Sequence, residues 1–256
     1  MTDAIALHER YLRAVQERTP VVTVTVIRGD GVGAKLVVLA DEVQGTLGDA
    51  ATDREATDRA RALLDEGRST SVMIGEREVY IESTPSPPTL LIIGAVHAGQ
   101  ALCMFAKAMG FDVIVVDARE KLATRERFPQ ADQIIVAWPD EAMAQLEVRP
   151  NWFIAILTHD PKFDEPAISS ALQTPARYIG AIGSRKTSAD RRQRLRDLGI
   201  SDEDLERVRG PIGLDIGAAS PEEMAISILG EIIAMRNGRG GGALTHASGS
   251  IRGQQG

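Results

Sequence analysis

Residues 90–99 read LLIIGAVHAG, and the fold class follows from how this stretch is parsed. Leu90 to Ile93 are consecutively apolar with no polar alternation, which suits a strand buried on both faces. Gly94 ends the run, and residues 97–109 resume with helical spacing. A buried strand that enters a helix through a glycine turn is half of a βαβ unit. The same alternation continues downstream, with apolar strands predicted over 113–117, 134–137, 152–157 and 178–182. Between them the spacing predicts helices over 140–146 and 165–172, and a basic helix over 185–197 follows. Continuous apolar strands separated by helices predict a parallel sheet covered on both faces. Ser220, Pro221 and Glu223 then supply the N-cap, first-turn proline and capping-box partner of a last helix, which runs to about Asn237.

The chain upstream of residue 83 is patterned differently. Ala4, Leu7, Tyr11, Ala14 and Arg18 recur every three or four residues and predict an amphipathic helix over 3–18. The β-branched run VVTVTVI (21–27), the turn RGDGVG (28–33) and Lys35–Ala40 read as a β-hairpin. A helix is predicted over 51–66, with Gly67 as its C-cap, and a short strand over 78–82. Residues 83–89, STPSPPT, place three prolines in seven positions and exclude both helix and central strand. The expected architecture is therefore α/β. A smaller α+β domain (1–82) and a proline-rich linker (83–89) precede a Rossmann-like domain with a parallel sheet and helices on both faces (90–237). A glycine-rich tail (238–256) is expected to be disordered.

Composition narrows the function. The net charge of −7 argues against general nucleic-acid binding, which calls for a basic surface. The single cysteine, Cys103, excludes an intramolecular disulfide and any thiolate-cluster metal site within one chain. It lies in LCMFA on a predicted helix and reads as a small buried hydrophobe. The N-terminus lacks the apolar core of a secretory signal, and no apolar run approaches the ~20 residues that span a bilayer, so a cytoplasmic location is expected. There is no G-x-S-x-G elbow, HExxH or P-loop.

Three loops at one sheet edge gather the residues with chemical potential. Gly94 to Gly99 fit the G-x-G-x-x-G spacing, except that Val96 replaces the middle glycine, where backbone meets a pyrophosphate. Asp117 ends the second strand, where a dinucleotide site places a carboxylate for ribose hydroxyls. A blander role for Gly94 and Gly99 is to permit the turn and the packing of the helix. In a Rossmann order the first and fourth strands adjoin, so His97 and Thr158-His159-Asp160 should face one crevice, with Asp164 nearby. Gly183, Ser184 and Arg185 open a helix beyond the fifth strand, where free N–H groups suit a phosphate. Arg191, Arg192 and Arg194 read instead as a solvated helix face. No metal site and no catalytic residue is assigned.

LLIIGAVHAGQAL, VIVVDAR with ERFP after it, AILTHDPKFDEPAI, RYIGAIGSRKTSADRRQRL and PIGLDIGAASPEEMAISILGEIIA closely resemble the XdhC/CoxI family. These proteins are accessory factors of molybdenum hydroxylases such as xanthine dehydrogenase. RGDGVGAKLVV and GTLG resemble the family's first domain more loosely. Gly94, His97, Asp117, His159, Asp160, Gly183, Ser184, Arg185, Pro211, Gly213, Asp215 and Gly217 match family motif positions.

The resemblance implies a maturation factor rather than a catalyst. Such a factor binds the molybdenum cofactor (molybdopterin or its cytosine dinucleotide), supports its sulfuration and delivers it to the apo-hydroxylase. A cysteine desulfurase is a further candidate partner, and a homodimer is left open. Two departures stand out. GTLGDAATD (45–53) replaces the family's glycine-rich stretch with cysteine, and Val72–Glu78 lacks the cysteine found in many members. Thiolate ligation of molybdenum through the first domain is therefore not expected. An NAD(P)-binding oxidoreductase, or a regulatory relative without ligand, are the competing readings.

Overall fold

The structure, a computed structural model, describes residues 2–65 and 67–248. These residues divide into two compact units that part between Pro87 and Pro88.

The first unit contains α1 (Thr2–Gln16), β1 (Val21–Arg28), β2 (Lys35–Val38), β3 (Val43–Thr46), α2 (Ala50–Arg61), β4 (Thr70–Ile74) and β5 (Arg77–Thr84). Its five strands form an antiparallel sheet in the order β3-β2-β1-β5-β4. The hairpin of β1 and β2 pairs Val22 with Val38 and Val24 with Leu36. Period-2 alternation sends Val22, Val24 and Val26 to one face, against Ala56 and Ala60 of α2. Val21 faces the other way and packs with Leu7 and Ala14 of α1. β3 and β4 were not legible in the sequence. Both are edge strands, and β3 (VQGT) has no fully buried residue, so no apolar pattern marks it. α2 also stops earlier than expected, because Ala62 rather than Gly67 is the C-cap.

The second unit contains β6 (Thr89–Ile93), α3 (His97–Ala108), β7 (Asp112–Val116), β8 (Gln133–Ile135), α4 (Pro139–Ala144), β9 (Trp152–Ile156), α5 (Pro161–Leu172), β10 (Tyr178–Ala181), α6 (Arg185–Asp197), α7 (Asp202–Glu206), β11 (Val208–Arg209) and α8 (Pro221–Arg236). The six strands are parallel and run β11-β10-β9-β6-β7-β8. Counted from β6, this is the doubly wound order 3-2-1-4-5-6, with its switch point between β6 and β9. β6 shows why its stretch decides the fold. Leu90 and Ile92 enter the core beneath α3 and α8, while Leu91 and Ile93 enter the core beneath α4 and α5.

Between the units, β5 reaches Thr84 and β6 begins at Thr89, so only residues 85–88 of the proline-rich stretch lie outside strands. α5 begins four residues before the expected start, because Asp160 caps it and Pro161 occupies its first position. The expected α8 cap is present: Ser220 accepts from Glu223 N at 3.2 Å, and Glu223 reaches back to Ser220 N at 3.0 Å. Of the tail, residues 249–256 lie outside the described residues. Its earlier part contains a 3-10 turn at Leu244–His246, and Gly241 sits against Leu214.

Candidate functional site

The carboxyl ends of β6, β7, β9 and β10 position most of the expected residues. Gly94 has φ +110°, and a Cβ there would stand 2.9 Å from Thr158 Cγ2 and 3.1 Å from Thr158 N. A Cβ on Gly99 would stand 3.0 Å from the Gly94 carbonyl oxygen. Both glycines are thus explained by close packing of the turn, whatever else they do. Val96 is the N-cap of α3 but makes no side-chain cap hydrogen bond, and its side chain packs half-buried on the core beneath α3. By contrast, α5, α6, α7 and α8 are capped by Asp160, Ser184, Ser201 and Ser220. Among the described residues the first-turn amides of α3 therefore have no side-chain cap at the switch point, with the positive end of the helix dipole behind them.

Asp117 is buried and fully engaged. Its carboxylate accepts from Ala95 N at 2.7 Å, from Arg119 N at 2.9 Å, and from Arg119 Nε and Nη2 at 2.8 and 2.7 Å. Burial pushes the carboxyl pKa up, but the Arg119 guanidinium and the two amides outweigh it and hold the group below the usual carboxylate range. Arg119 closes the position from which a carboxylate would read ribose hydroxyls. It lies inside the VIVVDAR motif, where turn and strand chemistry single out only Asp117. A second arginine from ERFP, Arg127, donates from Nη2 to the Ala95 carbonyl at 3.2 Å. Its buried Nε has no partner among the described residues.

The loop after β9 brings a correction. Arg191, expected on a solvated face, is 2% exposed. Its Nη2 donates to Asp164 Oδ2 at 2.7 Å and to the Ile182 carbonyl at 2.8 Å, while Asp164 also accepts from the Thr158 hydroxyl. The inward face of α6 is Ser188, Arg191 and Leu195, spaced by three and four residues. A polar stripe of this kind carries no hydrophobic signal. Arg192 and Arg194 are also partly buried, on the Val208 carbonyl and on Glu165. His97, His159 and Asp160 are exposed, and Asp160 Oδ1 accepts from Lys162 N at 3.0 Å as the cap of α5. Among the described residues no group of three or more His, Cys, Asp or Glu is arranged to hold a metal ion.

Gly183, Arg185 and Asp215 line a separate cavity of about 420 Å³ between the end of β10 and the PIGLDIGA loop. His97, Asp117, Thr158 and His159 are not in its wall, so the expected residues fall into two groups rather than one. Ser184 caps α6 through Thr187 N at 3.0 Å, and Gly183 has φ +148°. The loop is held from α8. Glu231 Oε2 accepts from Gly213 N at 2.8 Å and from the Tyr178 hydroxyl, and Ser227 donates to the Leu214 carbonyl at 2.6 Å. Burial, then the Glu231 carboxylate, push the Tyr178 phenol far above its usual pKa. Sequence reading misses Glu231 and Ser227, which look like ordinary positions of an amphipathic helix.

In the first unit, GTLGDAATD forms a helix start. Asp49 accepts from Ala51 N at 3.1 Å and Thr52 N at 2.9 Å, and pairs with Arg77 Nη1 at 2.5 Å. Asp53 accepts from Leu47 N at 2.6 Å. Cys103 is buried in the second unit, and desolvation pushes its thiol up to about 11.

The comparisons agree with this fold. The XdhC Rossmann domain matches residues 90–232, and the XdhC and CoxI family matches residues 14–75. Escherichia coli uncharacterized protein YqeB is 30% identical over 236 residues, covering 84% of this chain and 43% of that protein. A Bacillus subtilis protein named as a probable xanthine dehydrogenase component is 33% identical over 158 residues, covering 62% of this chain and 46% of the relative. The E. coli molybdenum cofactor insertion chaperone PaoD is 28% identical over 147 residues, covering 57% of this chain and 40% of PaoD. The chain thus spans less than half the length of each of these relatives. A solved structure described as a xanthine dehydrogenase from Bacillus halodurans shares the fold, with TM-score 0.53 at 21% identity over 88% of this chain and 92% of that one. With its Rossmann unit matched almost from end to end, the chain belongs to the XdhC and CoxI family.

Proposed function

We propose that this protein binds the molybdenum cofactor at the carboxyl edge of its parallel sheet and supports its insertion into a molybdenum hydroxylase. The observation that carries the reading is the cavity beside Arg185, roofed by the PIGLDIGA loop, in a unit whose switch-point helix is left uncapped. The cofactor is an anionic pterin phosphate. Open helix amides and a guanidinium are the groups that hold such an anion without a metal or a lysine. Arg127 Nε, without a partner among the described residues, lies beside the Ala95 turn and adds to the fit. Cys103 does not suit molybdenum ligation, since it is buried and its thiol is pushed up to about 11. On this reading Arg185, Arg127 and the first-turn amides of α3 would hold the anionic pterin phosphate, and Cys103 would not ligate the metal.

PaoD, named a molybdenum cofactor insertion chaperone, supports the same role at 28% identity. The proposal extends to sulfuration of the bound cofactor, with a cysteine desulfurase as donor and the apo-hydroxylase as recipient. The doubly wound strand order keeps NAD(P) as the competing ligand, and Val96 at the N-cap of α3 weighs against it.

The test is purification from a molybdenum-replete host, followed by mass spectrometry of released ligands and metal analysis. Molybdopterin or its dinucleotide is the expected ligand, and NAD(P) alone in the released fraction refutes the reading. Arg185→Ala removes a charge-assisted contact worth about 1.5–3 kcal/mol, so cofactor affinity should fall ~10- to 150-fold.

A further inference from the structure

The loops after β7, β8 and β9 carry an aromatic arrangement that the fold does not require. Trp138, at the N-cap of α4, stacks on Phe163 of α5 with ring centroids 4.6 Å apart and an interplanar angle of 13°. An indole has no acceptor for helix amides, so Trp138 does not serve as a cap. It is not a core residue either, since it remains 43% exposed, and Val136 beside it is 49% exposed. The Arg119 guanidinium stands 5.9 Å from the Phe163 ring centroid. Its plane is fixed by the two-point clamp on Asp117, and its Nη1 donates to nothing among the described residues.

We infer that this rim is a nucleotide subsite, in which a planar base stacks on the open face of Trp138 and the attached phosphate is held by Arg119. Three observations converge on it. A flat, half-exposed aromatic pair offers stacking that any base can use, and base–aromatic stacking is the dominant sequence-tolerant contact in nucleotide recognition. A guanidinium with a free edge is matched to phosphate rather than to a ribose diol. Topology supplies the third, because the ends of the second and third strands of a 3-2-1-4-5-6 sheet flank the nucleoside half of a dinucleotide crevice. With Asp117 consumed by Arg119, the recognition shifts from ribose hydroxyls to phosphate.

The inference rests on reading this sheet edge as a cofactor site and names the part of the ligand that its β7–β8 side takes. Two ligands carry that chemistry: the nucleotide end of a pterin dinucleotide, and the phosphorylated adenosine of NADP.

The experiment titrates the full chain with CMP, AMP, 2′-phospho-AMP and the unphosphorylated nucleosides, by calorimetry and by tryptophan quenching. Nucleotide binding is expected, weakened about 5- to 150-fold in Trp138→Ala and largely kept in Trp138→Phe. Loss of the phosphate preference is expected in the Arg119→Ala/Asp117→Asn double variant, which leaves no lone buried carboxylate. Preference for CMP identifies the pterin dinucleotide as the source, and preference for 2′-phospho-AMP identifies NADP. No binding of any nucleotide at millimolar concentration, or wild-type affinity in Trp138→Ala, overturns the inference. If the purified protein nonetheless carries molybdopterin, the subsite falls and the cofactor reading stands. If nucleotides bind through Trp138 while no molybdenum cofactor is recovered, the subsite stands and the cofactor reading falls.

Discussion

Replacing Arg191 by Met tests whether the crevice rests on a buried ion pair. Arg191 and Asp164 are 2% and 1% exposed, with 2.7 Å between Nη2 and Oδ2. Methionine fills similar volume and removes the charge, so the change isolates the electrostatic loss. Asp164 would keep the Thr158 hydroxyl as a donor but lose its counter-ion in a site that water does not reach. Stranding one member of a buried pair costs about 3–5 kcal/mol, a fifth or more of a typical folding free energy of ~5–15 kcal/mol. For a unit of this size that corresponds to a fall of roughly 6–20 °C in melting temperature. The Ile182 carbonyl also loses its donor, which loosens the segment leading to Gly183. Thermal and urea unfolding followed by circular dichroism would measure the loss. The Arg191→Met/Asp164→Asn double variant should recover most of it, because the amide carries no charge to strand. Stability of Arg191→Met within ~0.5 kcal/mol of wild type would refute the reasoning, as would a double variant no better than the single.

Three further outcomes are expected. Gly94→Ala should destabilise the second unit by about 2–6 kcal/mol, combining strain at a positive φ with contact against Thr158; an unchanged urea midpoint would contradict it. Cys103 should resist alkylation at pH 8 in the native protein and react on unfolding. Its protonated form contributes stability that is complete below the ordinary thiol value and lost as pH climbs through about 11, so unfolding should ease across that interval and not in Cys103→Ala. Asp49 is held well below the usual carboxylate range, first by the Thr52 amide and then by Arg77. Its stabilisation is present above that range and lost as pH falls beneath it, so Asp49→Asn should flatten the acid side of the stability profile.

β6, β7, β9 and β10 were legible because each is buried on both faces and needs only apolar residues to declare itself, whereas the two-residue edge strand β11 was not read at all. Leu90–Ile93, Val113–Val116 and Phe153–Ile156 are of this kind. β3 and β4 were not, because an edge strand with solvent on one side and a free rim on the other imposes few residue choices. The same asymmetry runs through the site. Gly94, Gly183 and Ser184 are visible as turn chemistry, since a positive φ or an N-cap restricts the residue type. Arg191, Glu231 and Arg119 are not, because their partners lie 27, 18 and 2 positions away in directions that only the folded chain defines. An arginine on a basic helix looks solvated until its acid is known.

An acidic chain with a proposed anionic ligand presents an apparent conflict, which the rim residues resolve locally. The excess of 36 acidic over 29 basic residues is a property of the whole surface. Two carboxylates at the sheet edge are paired internally, Asp117 with Arg119 and two amides and Asp164 with Arg191 and Thr158, while Asp160 caps the first turn of α5 and Asp215 faces the cavity beside Arg185. Against Asp215 stand several donors of the opposite sign. Among the described residues the first-turn amides of α3 have no side-chain cap, Arg119 Nη1 and Arg127 Nε have no partner, and Arg185 lines the cavity under the PIGLDIGA loop. At 0.15 M salt the field of distant surface acids is screened beyond about 8 Å, so a ligand in the crevice responds mainly to these donors. Net charge therefore argues against a general affinity for nucleic acid without bearing on a small phosphate ligand held at close quarters. If that account is right, affinity for the cofactor should depend weakly on ionic strength, with fewer than two counter-ions released per ligand bound. A slope as steep as that of a polyanion-binding surface would place the ligand elsewhere.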